Sequence, residues 1–232
     1  MDRETAHITD DLANSYRKLQ KYCAGGKNLD KAIKTTAAKV AHDRRLRSDF
    51  IRSGLFAKAK FEGKFRQDKT TPLFLHSLFL PSILAYFGEQ GPQAILVSLL
   101  HDLIEDTDTR PSEIAKLSLK SAGREILPMV KKLTQDKNIS DKLPSRGFIS
   151  PRVRKFIRTL KNSPPSVINV ELADRIHDML DIGYLKQLEP KTAKMRLRNK
   201  IARNKEIVST ITKGRDDINK KLLGYFWNLT EK

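Results

Sequence analysis

The stretch His101-Asp102-Leu103-Ile104-Glu105-Asp106 puts one imidazole and three carboxylates at the end of an apolar run, Ala94 to Leu100. On a helix, at about 100° per residue, positions 101, 102, 105 and 106 share an arc of about 140°. Like charges at i,i+4 repel, and ionised acids resist burial without a counter-charge. A divalent cation would satisfy this edge; so would a helix end that emerges into solvent. A second stretch, Leu172-Ala173-Asp174-Arg175-Ile176-His177-Asp178-Met179, repeats the problem. Its apolar positions predict burial, yet Asp174, Asp178 and Asp181 stack at i, i+4 and i+7, with Arg175 on a different face. A third, Thr71 to Leu78, sets His76 inside a strongly apolar helix, either as a hydrogen-bonded core histidine or as a ligand. Together they form a spaced set: His76, the pair His101-Asp102 25 residues on, and Asp174 72 residues after the pair. Two imidazoles and two carboxylates suit a first-row divalent metal with positions left open for water. Cys23 is the single cysteine, so a thiolate zinc-finger site is excluded.

Helices must position these residues, because apolar residues recur at i, i+3, i+4 and i+7 and strand patterns are nearly absent. The expected helices are 10–22, 29–47, 53–62, 73–87, 92–105, 110–117, 123–133, 151–161, 167–185 and 191–213. Turn chemistry marks the breaks at Gly25-Gly26, Gly88 to Pro92, Ser163-Pro164-Pro165 and Gly214 to Asp217. Pro81 is expected to kink its helix. The fold class is all-α. Residues 1–50 read as a two-helix appendage, with Leu12, Ser15, Tyr16 and Leu19 as one buried stripe and Ala32, Ile33, Thr36, Ala37 and Val40 as another. Residues 51–214 read as the core domain and 215–232 as a helical tail. No chemistry is visible in the appendage.

The chain has 232 residues and a net charge of +18. By segment the charge is +4 over 1–50, zero over 51–110, +9 over 111–170 and +5 over 171–232. A basic surface attracts polyanions such as nucleic acid or a multiply phosphorylated small molecule. At 39% hydrophobic the chain can bury a core, which excludes wholesale disorder. No apolar run approaches membrane-spanning length and no signal-type stretch follows Met1. The lone cysteine fits a reducing compartment, so the expected location is the cytoplasm, with no membrane partner.

Several blocks, in order, resemble the HD-domain metal-dependent phosphohydrolases, and more narrowly the hydrolase domain of the RelA/SpoT alarmone enzymes and their small single-domain relatives. Phe65-Arg66-Gln67-Asp68-Lys69-Thr70-Thr71-Pro72 leading to His76 resembles the family's Arg-Lys-Asp…Thr-Pro-Tyr…His entry. Leu99-Leu100-His101-Asp102-Leu103-Ile104-Glu105-Asp106-Thr107-Asp108-Thr109 resembles Leu-Leu-His-Asp-x-x-Glu-Asp-Thr-x-Thr. Leu133-Thr134-Gln135-Asp136-Lys137 resembles Val-Thr-x-x-Lys, and Leu172 to Met179 resembles Leu-Ala-Asp-Arg-x-His-Asn-Met. The resemblance spans roughly residues 54–214.

It implies an HD-domain helical bundle that binds one manganese ion and removes the 3′-pyrophosphate from guanosine tetra- or pentaphosphate. His76, His101, Asp102 and Asp174 would then be metal ligands, and Glu105 and Asp106 would position and deprotonate water. Arg66 would hold the purine or a phosphate, and Asp178, in place of the family's Asn, would lie at the nucleotide. The basic 111–170 stretch, through Arg152 and Lys155, would surround the phosphates. Gln67, Ser77 and Asp178 depart from the family pattern, which alters substrate rather than metal recognition. Other nucleotides on the same chemistry, an adenosine alarmone or a nicotinamide dinucleotide phosphate, are the alternatives. So is a basic nucleic-acid-binding protein on the same fold. The oligomeric state is left open.

Overall fold

The computed structural model describes residues 3–66, 68–89, 91–142, 149–181 and 189–231. Its elements are helical: α1 Arg3–Tyr22, α2 Leu29–Val40, α3 Arg44–Lys60, α4 Phe74–Tyr86, α5 Pro92–Leu100, α6 Leu103–Asp106, α7 Pro111–Ala115, α8 Ile126–Leu133, α9 Pro151–Lys161, α10 Pro165–Leu180, α11 Pro190–Thr212 and α12 Lys220–Thr230. One isolated bridge pairs Phe65 with Pro72. No described helix is long and apolar enough to cross a membrane.

Proline opens five of these helices, α5, α7, α9, α10 and α11. A first-turn proline loses no intrahelical hydrogen bond and has its φ already set. Gly88, with φ +83°, follows the end of α4 in the left-handed conformation that lets a helix stop. The helix expected over 29–47 is two helices. Ala41 ends α2, and Asp43 starts α3 by accepting a hydrogen bond from the Leu46 amide at 2.8 Å. The helix expected over 53–62 is the second half of α3. Gly54 lets α2 and α3 approach, since a Cβ there would meet Ile33 Cγ2 at 2.8 Å.

α4, α5 and α10 form the centre, with α4 against both others. Every residue of α5 from Ala94 to Leu100 is buried, as its unbroken apolar run requires. α3 and α8 cover α5, and α12 and α1 cover α10 and α4. α4 runs through Pro81 as one helix. Leu12, Tyr16 and Ile33 belong to the same buried cluster as Leu78, Leu96 and Ile176, and α3 runs across position 50. Of the two stripes expected in residues 1–50, the one on α2 is buried throughout. On α1, Leu12 and Tyr16 are buried but Ser15 is exposed.

Candidate metal centre

Three helices bring the chemistry together. α4 carries His76, the α5–α6 junction carries His101 and Asp102, and α10 carries Asp174. The helix expected over 92–105 breaks at this junction. Asp102 has φ −87° and ψ −4° and starts the single turn of α6, whose Asp106 amide bonds the Asp102 carbonyl at 2.7 Å. The break turns α6 without pulling its acids away from His101.

His76 Nε2 lies 3.4 Å from His101 Nε2, 3.0 Å from an Asp174 oxygen and 3.4 Å from an Asp102 oxygen. His101 Nε2 is 3.0 Å from the other Asp102 oxygen. His76, His101 and Asp174 each offer one donor atom within 4.8 Å of the others, so this trio can hold a metal ion. The tautomers agree with that use. The His101 Nδ1 proton points at the Ser98 carbonyl, 2.8 Å away, so that once the ring is neutral its Nε2 lone pair faces the cluster. His76 Nδ1 is 2.8 Å from His177 Nδ1. If His76 donates there, its Nε2 lone pair also faces inward. Two lone pairs and two carboxylates converge on one point, which is unfavourable unless a cation or added protons sit among them.

The titration behaviour reports the same crowding. Burial works against an imidazolium at His101, but Asp102 outweighs it and pushes this imidazole up to about 10. Burial likewise opposes ionisation of Asp102, yet His101 and then His76 hold its carboxyl below the usual range. Asp174 is held well below it, against burial, by the Arg175 guanidinium and His76. Burial pushes His177 well below an ordinary histidine, so it is neutral, and its buried Nε2 has no hydrogen-bond partner among the described residues. Sequence reading gave His177 no role. Its position three residues beyond Asp174, on a buried helix, was the available signal.

Glu105 and Asp106 stand one turn beyond the histidine–aspartate pair and are half-buried. Burial raises Glu105 despite the Gln135 amide, which donates to its Oε2 at 2.9 Å. Burial and the neighbouring Asp102 raise Asp106. The Lys137 ammonium donates to the Glu105 carbonyl and stands 3.9 Å from Asp106. The Leu133–Lys137 block therefore lies against α6.

These groups open into a cavity of ≈ 670 Å³. Arg66 lines it and pairs with Asp181 at 2.7 Å. Asp178 also lines it, 3.1 Å from Lys200 and 3.4 Å from Arg175. Arg175 does more than its helical position suggested. Its long side chain folds back along α10 to bond Glu171 and Asp174 at 2.8 Å each, besides Asp178. Burial pushes Glu171 up to about 7 in spite of that guanidinium. Phe65, an exposed ring at the cavity wall, was not singled out from sequence.

Arg152 and Lys155 are not among the cavity-lining residues. Arg152 bonds the Ile139 carbonyl at 2.9 Å and sits 3.9 Å from Asp141, while Lys155 pairs with Asp136 at 2.9 Å. The amphipathic α9 buries Val153, Phe156, Ile157 and Leu160, which turns its cations outward; only Phe156 reaches the cavity. Gln67 lies outside the described residues, as does the expected end of the 167–185 helix.

No family model matches the chain. It is 30% identical over 131 residues to a guanosine-3′,5′-bis(diphosphate) 3′-pyrophosphohydrolase of Spiroplasma citri, covering 56% of this chain and 16% of the relative. A protein of the same name from Borreliella burgdorferi is 26% identical over 161 residues, 68% of this chain and 23% of the relative. The chain thus spans less than a quarter of the length of these relatives. Among solved structures, one described as "A metazoan ortholog of SpoT hydrolyzes ppGpp and plays a role in starvation responses" superposes with a TM-score of 0.59 at 18% identity. That match covers 81% of this chain and 94% of the other. The chain is thus similar, over half to two thirds of its length, to part of proteins named guanosine-3′,5′-bis(diphosphate) 3′-pyrophosphohydrolase, and it shares the all-α fold of the SpoT ortholog.

Proposed function

We propose that the chain is a manganese-dependent hydrolase that removes the 3′-pyrophosphate from guanosine tetra- or pentaphosphate. Residues 51–214 would form the hydrolase unit, with 1–50 and 215–232 as helical flanks. The observation that carries this reading is the convergence of His76, His101, Asp102 and Asp174 at 3.0–3.4 Å, with two raised carboxyls one turn away. The names of the sequence relatives support the substrate class.

In this reading His76 and His101 offer Nε2 and the two aspartates offer oxygens to one divalent ion. Such an ion, when bound, screens phosphate charge and acidifies water. The chain's own residues do the rest. Glu105 and Asp106 accept the proton of the attacking water, and their raised pKa values bring them toward the working pH of a general base. The Gln135 amide and Lys137 fix the orientation of that pair. Water adds to the phosphorus on the 3′ oxygen, the O–P bond breaks, and pyrophosphate leaves as the 3′ oxygen regains a proton. Arg66 and Lys200 face the phosphates from the far wall, and the Phe65 ring offers a flat surface to the purine. Asp178 is already balanced by Arg175 and Lys200, so its charge in place of an amide need not repel the substrate.

Pyrophosphate release should be measured with manganese against guanosine and adenosine 3′-pyrophosphates, in wild type and Asp102→Asn. Preferred turnover of the guanosine substrate, lost together with bound manganese in the variant, supports the reading. Full turnover by Asp102→Asn, or release from neither substrate, sinks it.

A further inference from the structure

A second concave site lies on residues 1–50, where the sequence showed no chemistry. α1 and α2 both rest on α4 but barely touch one another, and the space between them is a groove of ≈ 870 Å³. Each helix contributes one face of its own periodicity. α2 presents Lys31, Thr35 and Lys39 at i, i+4 and i+8, with Ala32, Thr36 and Val40 as the adjoining floor. α1 presents Ser15, Lys18, Leu19 and Tyr22, and α4 presents Phe79, Ser82 and Tyr86.

The chemistry of this lining is specific. Lys18, Lys31 and Lys39 are exposed and make no ion pair among the described residues, and none of the described lining residues is acidic. Elsewhere on this surface exposed lysines do find acids, as Lys58 finds Asp30 and Lys155 finds Asp136. Three unpaired ammonium groups around an apolar floor call for an anion with an apolar body. Two features fix the kind of body. Tyr22 and Tyr86 stand 41% and 48% exposed at the groove, offering flat faces for stacking. Hydroxyls from all three helices offer hydrogen bonds to a polar ring edge, which a fatty acyl chain cannot use. A volume in the range of small-molecule pockets completes the fit.

We propose that this groove binds a nucleoside phosphate, with its base against the tyrosine rings and its phosphate held by Lys31, Lys39 and Lys18. The site is separate from the metal centre. It borders it through Phe79, which floors the groove and packs its ring 5.7 Å from that of His177.

The test is calorimetric titration of the full chain with guanosine 5′-monophosphate in EDTA. Without metal, the acidic cavity repels the phosphate, so binding reports the groove and does not depend on the proposed hydrolysis. Lys31→Ala with Lys39→Ala should weaken binding at least tenfold, and Tyr86→Ala several-fold. Arg66→Ala, in the other cavity, should leave it unchanged. Guanosine should bind far more weakly than its monophosphate, and so should inorganic phosphate. All the substituted groove side chains are exposed, and circular dichroism checks folding. Absence of binding overturns the proposal. So does binding lost in Arg66→Ala but kept in the lysine variant, or guanosine binding as tightly as the nucleotide. A dimer in sedimentation that the lysine substitutions dissolve would also overturn it, assigning the groove to a second copy of the chain.

Discussion

The two concavities share α4 but are built on opposite electrostatics. Among the described residues, the metal cavity is lined by eight acids and four cations, and the groove by three cations and no acid. Most of the cavity's charges are buried or half-buried and many are paired, such as Arg66 with Asp181 and Arg175 with Glu171 and Asp174, and several are pulled far from ordinary titration. The groove's charges are exposed and make no ion pair among the described residues. For a phosphorylated substrate the acidic cavity is hostile until a cation enters, whereas the groove is ready without one. On the two readings proposed above, that difference separates a site for chemistry from a site that only holds a ligand. Chemistry needs groups forced into costly neighbourhoods, while retention needs only complementary charge and surface.

The largest effect expected from this contrast is at the acid pair. Glu105→Gln with Asp106→Asn should cut turnover by about 10²-fold or more, the scale of lost acid–base catalysis, while bound metal stays. Lys31→Ala with Lys39→Ala should leave turnover in saturating substrate alone. Metal analysis and steady-state kinetics on both variants decide it. If the acid pair loses metal, those residues are ligands and the cavity's division of labour is wrong.

Next is His177, on this reading a positioning residue that reaches the metal site through His76. His177→Phe keeps the ring packing against Tyr16 and Phe79 but removes the Nδ1 acceptor 2.8 Å from His76. Outer partners of ligating histidines typically contribute about 10–100-fold in metal affinity. Manganese affinity should therefore fall by about tenfold or more, read by calorimetry. Unchanged affinity would reduce His177 to packing.

The third effect is a pH dependence. In the metal-free protein His101 keeps its proton until about pH 10, and a metal can bind its Nε2 only after that proton leaves. Below that pH, metal affinity should rise by about tenfold per pH unit, with one proton released per ion. Raising the pH must tighten binding, since the competing species is the imidazolium. A flat profile between pH 6 and 8 would show that His101 is already neutral.

Much of this could be read from the residue pattern, for reasons that differ by element. His76, His101, Asp102 and Asp174 stood out because polar groups on apolar helices are costly and must be used; the structure brings all four together. The apolar run of α5 forecast its burial residue by residue. The break at Asp102 was not legible, since a one-turn reorientation leaves hydrophobic periodicity intact. Asp43 hid the α2–α3 boundary in the same way, although an aspartate three residues before Leu46 is a capping signal. Arg175 was misread because helical angle places a Cβ, while a guanidinium reaches a full turn in either direction. The groove was missed because its lysines look like any solvated face until three helices are set side by side.

The smallest expected effect concerns the most basic segment. Residues 111–170 carry a +9 excess, and Arg152 and Lys155 were the natural candidates to hold phosphates. In the fold they bond the 136–141 segment instead and stay off the cavity wall. Exposed pairs of this kind contribute roughly 0–1 kcal/mol, so the double variant Arg152→Ala with Lys155→Ala should fold normally. Its Michaelis constant should change by less than about twofold, since contacts that bind ground and transition states equally are what that constant reports. Arg66→Ala, which removes a cation from the cavity itself, should raise it far more. Raising the salt sharpens the distinction: beyond about 10 Å exposed charges are screened at 0.1 M, so any small effect of the α9 pair should vanish while that of Arg66 persists. A large, salt-resistant rise for the α9 variant would mean that substrate phosphates reach past Phe156, and that the basic segment belongs to the cavity after all.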